Sequence, residues 1–422
     1  MHPKFILTFL LFAFNSSCLG LIEGKFGKLD ASASVGLTYD SRVFMLPSNE
    51  FSAIKKTEGS GNAAVPANEM KSEDDLIITF SPAMHYTNKF GLLKISGSAG
   101  FTVSHFFLND DKSYLVPTTS LTVDFDDTLA LKKRISNNAK IRFESTFDVG
   151  QSVGASVLDQ DLISYTYITA GLNMRYNHSA KFGLGGGTSY SYRFYQSASN
   201  DSDRPNFDFA TLPLSLRAFY IYSEKVDLFS NYTFSKSKAY GTAGKSNLTD
   251  SNNHSISIGA NGEYSSKLSG RASIGYSLLN YLSQGQPDQD NMITSVSMNW
   301  KHNSKTSSNY NLSRSFSPTA QGFSTFSTSF RSGLSHRFTE MLSGTSYFSI
   351  SRTDYTYPID YSLSPINVRE GSSMDLYGFG FGVSRSINKI FSASGNYDFS
   401  LMDKGTGSYN RHLINARVTG RF

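Results

Sequence analysis

Charged side chains in this 422-residue chain alternate with apolar ones in many segments. In residues 139–149, for example, Arg142 and Glu144 alternate with Ile141 and Phe143. Successive side chains of a strand point to opposite faces, so this spacing places the charges on one face and the apolar groups on the other. Fixed guanidinium and carboxylate groups on a wetted surface attract or repel ions by sign. The pattern therefore predicts electrostatic selection on a polar strand face.

Residues that could carry catalysis or bind a cofactor are few and poorly spaced. Ser104-His105, near the end of one segment, is the candidate serine–histidine pair, and abundant serine makes such adjacency common by chance. The glycine cluster 183–187 lies inside an alternating segment, whereas a phosphate loop joins a strand to a helix. No histidine pair has metal-ligand spacing, and the single Cys18 excludes a disulfide scaffold or cysteine zinc site. We expect no enzyme activity, cofactor or metal.

The composition narrows the class of protein. Charged residues make up 17% of the chain, below the roughly 25% of soluble domains, while aromatic residues reach 14% and argue against disorder. No apolar run reaches the ~18 residues of a spanning helix, which excludes a helical membrane protein. The net charge is +5, but Lys and Arg are dispersed without a patch, so we expect no nucleic-acid partner.

The elements that must position these residues are long strands. Strict alternation runs from Leu29 to Asp40 and recurs through the chain. About 18 such segments of roughly 12 to 17 residues are present, longer than the ~9–11 residues a tilted strand needs to cross hydrocarbon. Further examples are 93–104, 182–194, 210–222, 268–282, 326–338, 391–401 and 412–422.

Short and long connections between these segments take turns along the chain. Tight links such as 177–179, 223–225 and 303–305 alternate with long ones such as 197–206 and 358–372. A transmembrane barrel has this asymmetry, with tight turns on the periplasmic side and long loops outside. Thr128 to Asn138 is long where a tight turn is due, and we interpret it as an irregular periplasmic turn.

We therefore predict an all-β fold: a transmembrane antiparallel up-and-down β-barrel of about 18 strands, with 16 as the alternative. The apolar face, with Tyr190, Tyr220 and Trp300 toward strand ends, should contact lipid. The polar face should line the lumen, where basic residues are about twice as frequent as acidic ones. The residues placed nearest mid-depth are Arg142, Glu144, Arg217, Arg331 and Arg417.

Two interpretations of these charges stay open at this point. They could give the pore a mild anion preference, or the arginines could pair with neighbouring carboxylates and fill the interior. The first long link, Leu46 to Asp74, is the candidate constriction or lid, or else a disordered surface loop. The acidic residues of this link are Glu50, Glu58, Glu69, Glu73 and Asp74, and a further acidic residue, Asp75, follows it directly.

Other repetitive β folds fit less well. The recurrence of Lys after short links, every ~36 to 50 residues, also suggests a β-propeller, but propeller blades use four short strands. A β-helix or secreted adhesin does not require alternating short and long links. In a soluble sandwich the same aromatic residues would fill a core.

The amino terminus predicts export. Residues 1–20 have a positive Lys4, an apolar stretch and a small-residue zone, as a secretory signal peptide does. We expect a short periplasmic segment at 21–28 and the barrel at 29–422.

In the last segment, every second residue from 412 belongs to one face, and this row ends on an aromatic residue. The row consists of His412, Ile414, Ala416, Val418, Gly420 and Phe422. Here the sequence resembles Gram-negative outer-membrane β-barrel porins, in which a terminal aromatic is read by the barrel assembly machinery. It is most similar to the porin group linked to exopolysaccharide and capsule systems. The resemblance rests on pattern from Leu29 to Phe422, without a diagnostic internal motif.

This resemblance implies an outer-membrane location, contact with outer-membrane lipid, and assembly through the strand that carries Phe422. It also implies passive passage of polar or anionic small solutes or saccharides, with exopolysaccharide as a candidate cargo. The alternative is a non-conducting surface barrel that serves as an adhesin, binding protein or scaffold.

Overall fold

The computed structural model describes residues 22–52, 71–127, 140–155, 162–195, 208–240, 250–282, 288–318, 324–356, 373–404 and 407–422. Nineteen strands fill most of these residues, and the described helical segments include 48–52 and the 3-10 turn Asp110–Lys112. In this part of the chain no helix has the length and apolar character to span a membrane. The predicted signal peptide and the irregular turn at 128–138 lie outside the described residues.

The strand bounds follow the alternating segments of the sequence. They are β1 (Ile22–Gly24), β2 (Gly27–Asp40), β3 (Asp75–Phe90), β4 (Leu93–Phe106), β5 (Tyr114–Asp126), β6 (Lys140–Ala155), β7 (Leu162–Asn177), β8 (Phe182–Tyr195), β9 (Asp208–Ile221), β10 (Val226–Tyr240), β11 (Ser251–Glu263), β12 (Leu268–Tyr281), β13 (Gln289–Lys301), β14 (Thr306–Pro318), β15 (Ser324–Arg337), β16 (Leu342–Thr356), β17 (Ser373–Ser386), β18 (Phe391–Asp403) and β19 (Ser408–Arg421).

Antiparallel pairing closes these strands into a ring. Each strand from β2 to β19 pairs with its neighbours in sequence, and β19 pairs back to β2 with Ile414 opposite Tyr39. The short β1 lies outside the ring and pairs with β2. The predicted closed 18-stranded antiparallel barrel is confirmed. Closure leaves no unpaired strand edge, which hydrocarbon would not tolerate.

One end of the barrel carries the tight connections and is called here the short-turn end. Six of its connections have four residues each, and β3 joins β4 through Gly91 and Leu92. In each four-residue turn, the side chain of the second residue accepts two hydrogen bonds. The donors are the backbone N–H groups of the fourth turn residue and of the first residue of the next strand, so each turn is stabilised locally. These second residues are Ser179, Ser223, Ser265, Asn303, Thr339 and Asn388.

The two faces of the wall separate by residue parity. In β9, Leu212, Leu214 and Leu216 are 47–59% exposed on the outer face, whereas Phe219 on the inner face is 8% exposed. Exposed apolar side chains around the ring form the outer surface, the face predicted to contact lipid. Aromatic residues mark the outer face near the short-turn end, including Trp300, whose ring stacks on His302 with centroids 5.2 Å apart.

Candidate functional site: the lumen wall

The five residues predicted to line the lumen are distributed around the wall. They lie on β6 (Arg142 and Glu144), β9 (Arg217), β15 (Arg331) and β19 (Arg417), each on the inner parity of its strand. Only one pair among them is in contact, since Arg142 Nη2 lies 3.9 Å from Glu144 Oε2. The structure therefore does not gather them into one cluster, and their role in a pore stays a prediction.

A row of glycines on the inner face of β8 shapes one part of the wall. Gly183, Gly185 and Gly187 share the inner parity, while Leu184 between them is 60% exposed on the outer face. A Cβ at Gly185 would lie 2.9 Å from the Phe219 ring, and one at Gly187 only 2.3 Å from a neighbouring amide oxygen. We call this row the β8 glycine lane. It leaves room for long side chains of β7 and β9 to lie flat across β8.

Two inner-facing phenylalanines beside this lane are each contacted by arginines. The guanidinium carbon of Arg175 lies 4.2 Å from the centre of the Phe219 ring, and that of Arg271 lies 4.4 Å from the centre of the Phe229 ring. Arg217 sits between them, 5.8 Å from Phe219 and 5.5 Å from Phe229. Both rings are more than nine-tenths buried. These five residues form the arginine–phenylalanine cluster, which lies toward the short-turn end.

The charges of this cluster are only partly balanced. Arg175 reaches over the lane from β7 to β10, where its Nη1 donates to Asp227 Oδ2 at 2.6 Å, and its Nε donates to Asn177 at 2.8 Å. Arg217 donates to the neutral amide of Asn231 at 3.2 Å. Within the described residues neither Arg217 nor Arg271 has a carboxylate within 4 Å. Three guanidinium groups therefore face one carboxylate.

The opposite wall repeats the arrangement with different chemistry. Strand β17 lies nine strands from β8 in the ring of 18, so the two strands stand on opposite sides of the lumen. Its inner face carries Gly380, whose Cβ would lie 2.5 Å from both Tyr347 and Asp398. Across this gap the Tyr347 hydroxyl donates to Asp398 at 2.6 Å. The Arg331 guanidinium stacks on Tyr347, 3.6 Å from its ring centre.

The first long connection packs inward at the other end of the barrel, the long-loop end. Its residues Val43, Phe44, Leu46 and Phe51 are all at most 6% exposed and pack with Phe106 from the inner face of β4. The apolar residues of this connection are therefore packed against the inner wall, while Ser48 and Asn49 between them are exposed. Residues 53–70, with Glu58 and Glu69, lie outside the described residues.

Two of the predicted acidic residues at this end make structural contacts. Glu73 pairs with Arg42 at 2.7 Å, and Asp75 is fully buried, accepting hydrogen bonds from the backbone of the β4–β5 loop. Farther out, Asp110 contacts Lys71, whose hydrogen bond and positive charge hold the pKa of the Asp110 carboxyl below its usual value. Neither Glu73 nor Asp75 offers a free carboxylate to a passing solute.

The comparison with protein families decides the identity. Residues 71–422 match the family described as "Putative beta-barrel porin 2". The chain belongs to this family. It is accordingly an outer-membrane β-barrel of Gram-negative cells, and the expected family, location and fold are confirmed. No curated protein matches the chain.

Solved structures similar to this porin-family chain share little of its sequence. The outer membrane protein OpdK from Pseudomonas aeruginosa is 11% identical with a TM-score of 0.47, covering 96% of this chain and 100% of its own. OccK3 (OpdO) from the same organism is 10% identical with a TM-score of 0.45, covering 93% and 95%. OccAB3 from Acinetobacter baumannii is 11% identical with a TM-score of 0.44, covering 93% and 99%.

The candidate serine–histidine pair does not assemble in this porin-family barrel. Ser104 is buried on the inner parity of β4, and His105 points to the other face, where its Nδ1 lies 3.1 Å from Ser113 Oγ. The glycines at 183–187 line a barrel wall rather than a phosphate loop. Among the described residues no group of three His, Cys, Asp or Glu could hold a metal ion.

Sequence reasoning missed the aromatic residues of the inner face. It assigned aromatics to the lipid side, yet Phe219, Phe229 and Tyr347 point inward and carry the arginines. One signal was available, because Phe219 has the same parity as Arg217 in a strand whose other parity is rich in leucine. The partnership with the glycine lane depends on the register between strands, which residue spacing alone does not give.

Proposed function

We propose that the protein is a passive pore for polar solutes, with a preference for anions. The family assignment supports a channel, and a barrel of 18 strands encloses an aqueous lumen unless loops fill it. The observation that carries the anion preference is the excess of guanidinium groups on the inner wall, where Arg217 and Arg271 have no carboxylate within 4 Å among the described residues. The candidate Ser104-His105 pair does not assemble in the described part of the wall, and we propose transport without enzyme activity.

Serine, threonine, asparagine and tyrosine on the inner wall support passage of hydroxylated solutes, including saccharides. Tyr347 and the Ser98–Ser120 hydroxyl pair, at 2.7 Å, illustrate the hydrogen-bonding groups that such a solute would meet. Exopolysaccharide as cargo remains part of this proposal and rests on the resemblance of the sequence alone.

Ion selectivity is measured by recording single barrels in a planar bilayer under a KCl gradient. Replacing Arg142, Arg217, Arg331 and Arg417 together with Gln should move the reversal potential toward cation preference, because four positive charges leave the wall. The matched control replaces Lys181, Lys267, Lys305 and Lys389, which lie in the short turns, with Gln. It removes the same charge where solvent screens it, so it should shift the potential much less. Equal shifts, or none, would discard the anion preference.

A second candidate is a non-conducting barrel that binds partners at the surface. The observation that favours it is the apolar packing of residues 43–51 inside the mouth, which narrows the long-loop end. The same recordings separate the two functions. Repeated silence from folded, heat-modifiable protein would reject the pore and leave the binding barrel.

A further inference from the structure

We infer that the arginine–phenylalanine cluster is a binding site for the oxyanion group of a solute in the lumen. The site consists of Arg217 and Arg271 on the two buried rings, with Arg175 and Asp227 completing it. This inference deepens the proposed pore by naming the chemical class that the wall selects, and it rests on that function only for the route by which the solute arrives.

Stacking leaves the useful edge of each guanidinium free. A guanidinium is planar with five N–H donors around its rim, and it holds carboxylates or phosphates through two parallel hydrogen bonds. Arg271 lies over Phe229 by its face, and no hydrogen bond to its rim occurs within the described residues. Arg217 gives one N–H to Asn231 and keeps the others. Both residues contact the Phe229 ring, with their guanidinium carbons 5.5 Å (Arg217) and 4.4 Å (Arg271) from its centre.

Asp227 does not neutralise this pair of arginines. Its carboxylate is only 16% exposed and is taken by Arg175 at 2.6 Å, whose own side chain is 27% exposed. Arg175 is further fixed by Asn177 and by stacking on Phe219. The residual charge therefore resides on Arg217 and Arg271, which an anionic group from the lumen can compensate.

Partial burial makes such compensation stronger than at an open surface. Phe219 and Phe229 exclude water from one side of the guanidinium groups, and charge-assisted hydrogen bonds strengthen where water is excluded. The rings fit against the wall because two glycines leave room for them. A Cβ at Gly185 would lie 2.9 Å from the Phe219 ring, and a Cβ at Gly259 would lie 2.7 Å from the Phe229 ring. The two rings are thus packed into the wall, and the arginines contact these packed rings.

The same geometry excludes neutral sugars as the ligand of this cluster. A sugar ring stacks on an exposed aromatic face, but both faces that point to the lumen are engaged by guanidinium groups. A cation is repelled by the net positive charge. The oxyanion can belong to an organic carboxylate, such as a sugar acid, or to an inorganic ion such as sulfate.

Equilibrium binding to the purified full-length barrel in a neutral detergent tests the site without requiring conductance. Ligand-observed NMR would titrate sodium glucuronate and glucose, and sulfate would compete with glucuronate. We expect saturable binding of glucuronate and none of glucose. Arg217→Gln with Arg271→Gln should raise the glucuronate dissociation constant at least about tenfold, since charged hydrogen bonds are lost. Arg217→Lys with Arg271→Lys, which keeps the charge but loses the fork, should weaken binding by less.

The matched control is Arg193→Gln with Arg337→Gln, which removes two arginines from other parts of the inner wall. It should leave the dissociation constant within about twofold. Displacement by sulfate assigns the site to oxyanions in general, and failure of displacement assigns it to organic carboxylates. Binding that is equal in the cluster variant and the control, or equal for glucose, overturns the inference. Binding by a barrel that is silent in bilayers would reject the pore and retain the site.

Discussion

Asp75 organises the long-loop end through a single carboxylate. Its two oxygens accept hydrogen bonds from the backbone N–H groups of Leu108 and Asn109 at 3.0 and 2.8 Å, and from the Asn109 side-chain amide at 2.9 Å. The side-chain amide oxygen of Asn109, Oδ1, in turn accepts hydrogen bonds from the backbone N–H groups of Lys71 and Ser72. Asp75 and Asn109 are both fully buried. One carboxyl side chain thus joins the first two long connections to each other.

Replacing Asp75 with Ala should destabilise the barrel by about 3 kcal/mol, because several buried N–H donors lose their acceptor at once. Equilibrium unfolding in denaturant, with the protein in lipid vesicles, measures this change. The control is Asp110→Ala, in which an exposed carboxylate loses its contact with Lys71 and the loss of stability should be much smaller, because solvent screens this pair. If both variants unfold alike, the Asp75 contacts do not hold this end together.

At the scale of elements, the β8 glycine lane explains how a β-barrel wall can carry side chains that span several strands. Arg175 on β7 reaches Asp227 on β10 because β8 offers no side chain in between. Tyr347 crosses β17 in the same way to reach Asp398. Glycines on the inner face therefore leave space in which polar and aromatic side chains of neighbouring strands lie against the glycine backbone instead of projecting into the lumen.

We predict that Gly185→Ala lowers barrel stability by about 1–3 kcal/mol, since the new methyl group overlaps the Phe219 ring and must displace it. Unfolding in vesicles measures the loss. Gly154→Ala is the matched control, because it lies on an inner strand face with nothing within 4 Å of the added Cβ. A loss of equal size in both would mean that glycine matters through chain flexibility rather than through this contact.

The sequence was sufficient to predict the strands, but it was not sufficient to predict the β8 glycine lane and its partners. Alternation, segment length and the order of short and long links predicted 18 strands and their two faces, because these properties are local. The alignment of Arg175 with Gly185 and Arg217 is a matter of strand register. Register brings together residues from separate hairpins, and a single sequence contains no direct record of it. The inward packing of 43–51 was foreseen only through the candidate constriction at 46–74, since the partners of this segment lie on four different strands that residue spacing alone does not bring together.

At the scale of the whole molecule, closure depends on the seam between β19 and β2. Arg411 Nε lies 2.8 Å from Asp40 Oδ1 across this seam, and the Asn415 amide donates to Thr38. At the short-turn end, Phe422 exchanges two backbone hydrogen bonds with Ala31, and its ring meets Phe391 edge-on. The last residue is therefore the final pairing of the ring.

We propose that Phe422 also serves as the contact for the assembly machinery, and expect Phe422→Ala to reduce the amount of folded barrel in the outer membrane several-fold. Phe391→Ala also abolishes the contact between the two rings but keeps Phe422, so it should leave the amount of folded barrel nearly unchanged. Heat-modifiable mobility in membrane fractions of a Gram-negative host measures both. Equal losses in the two variants would reduce the role of Phe422 to packing.

Trp300 gives this barrel an intrinsic optical reporter at one end. It is the single tryptophan of the chain, and it lies on the outer face two residues from the turn between β13 and β14. Its emission therefore reports the polarity around the short-turn end alone, with no contribution from the long-loop end or the lumen. During refolding into vesicles, the change in that emission marks when the short-turn end reaches lipid, and no added label is needed to observe it.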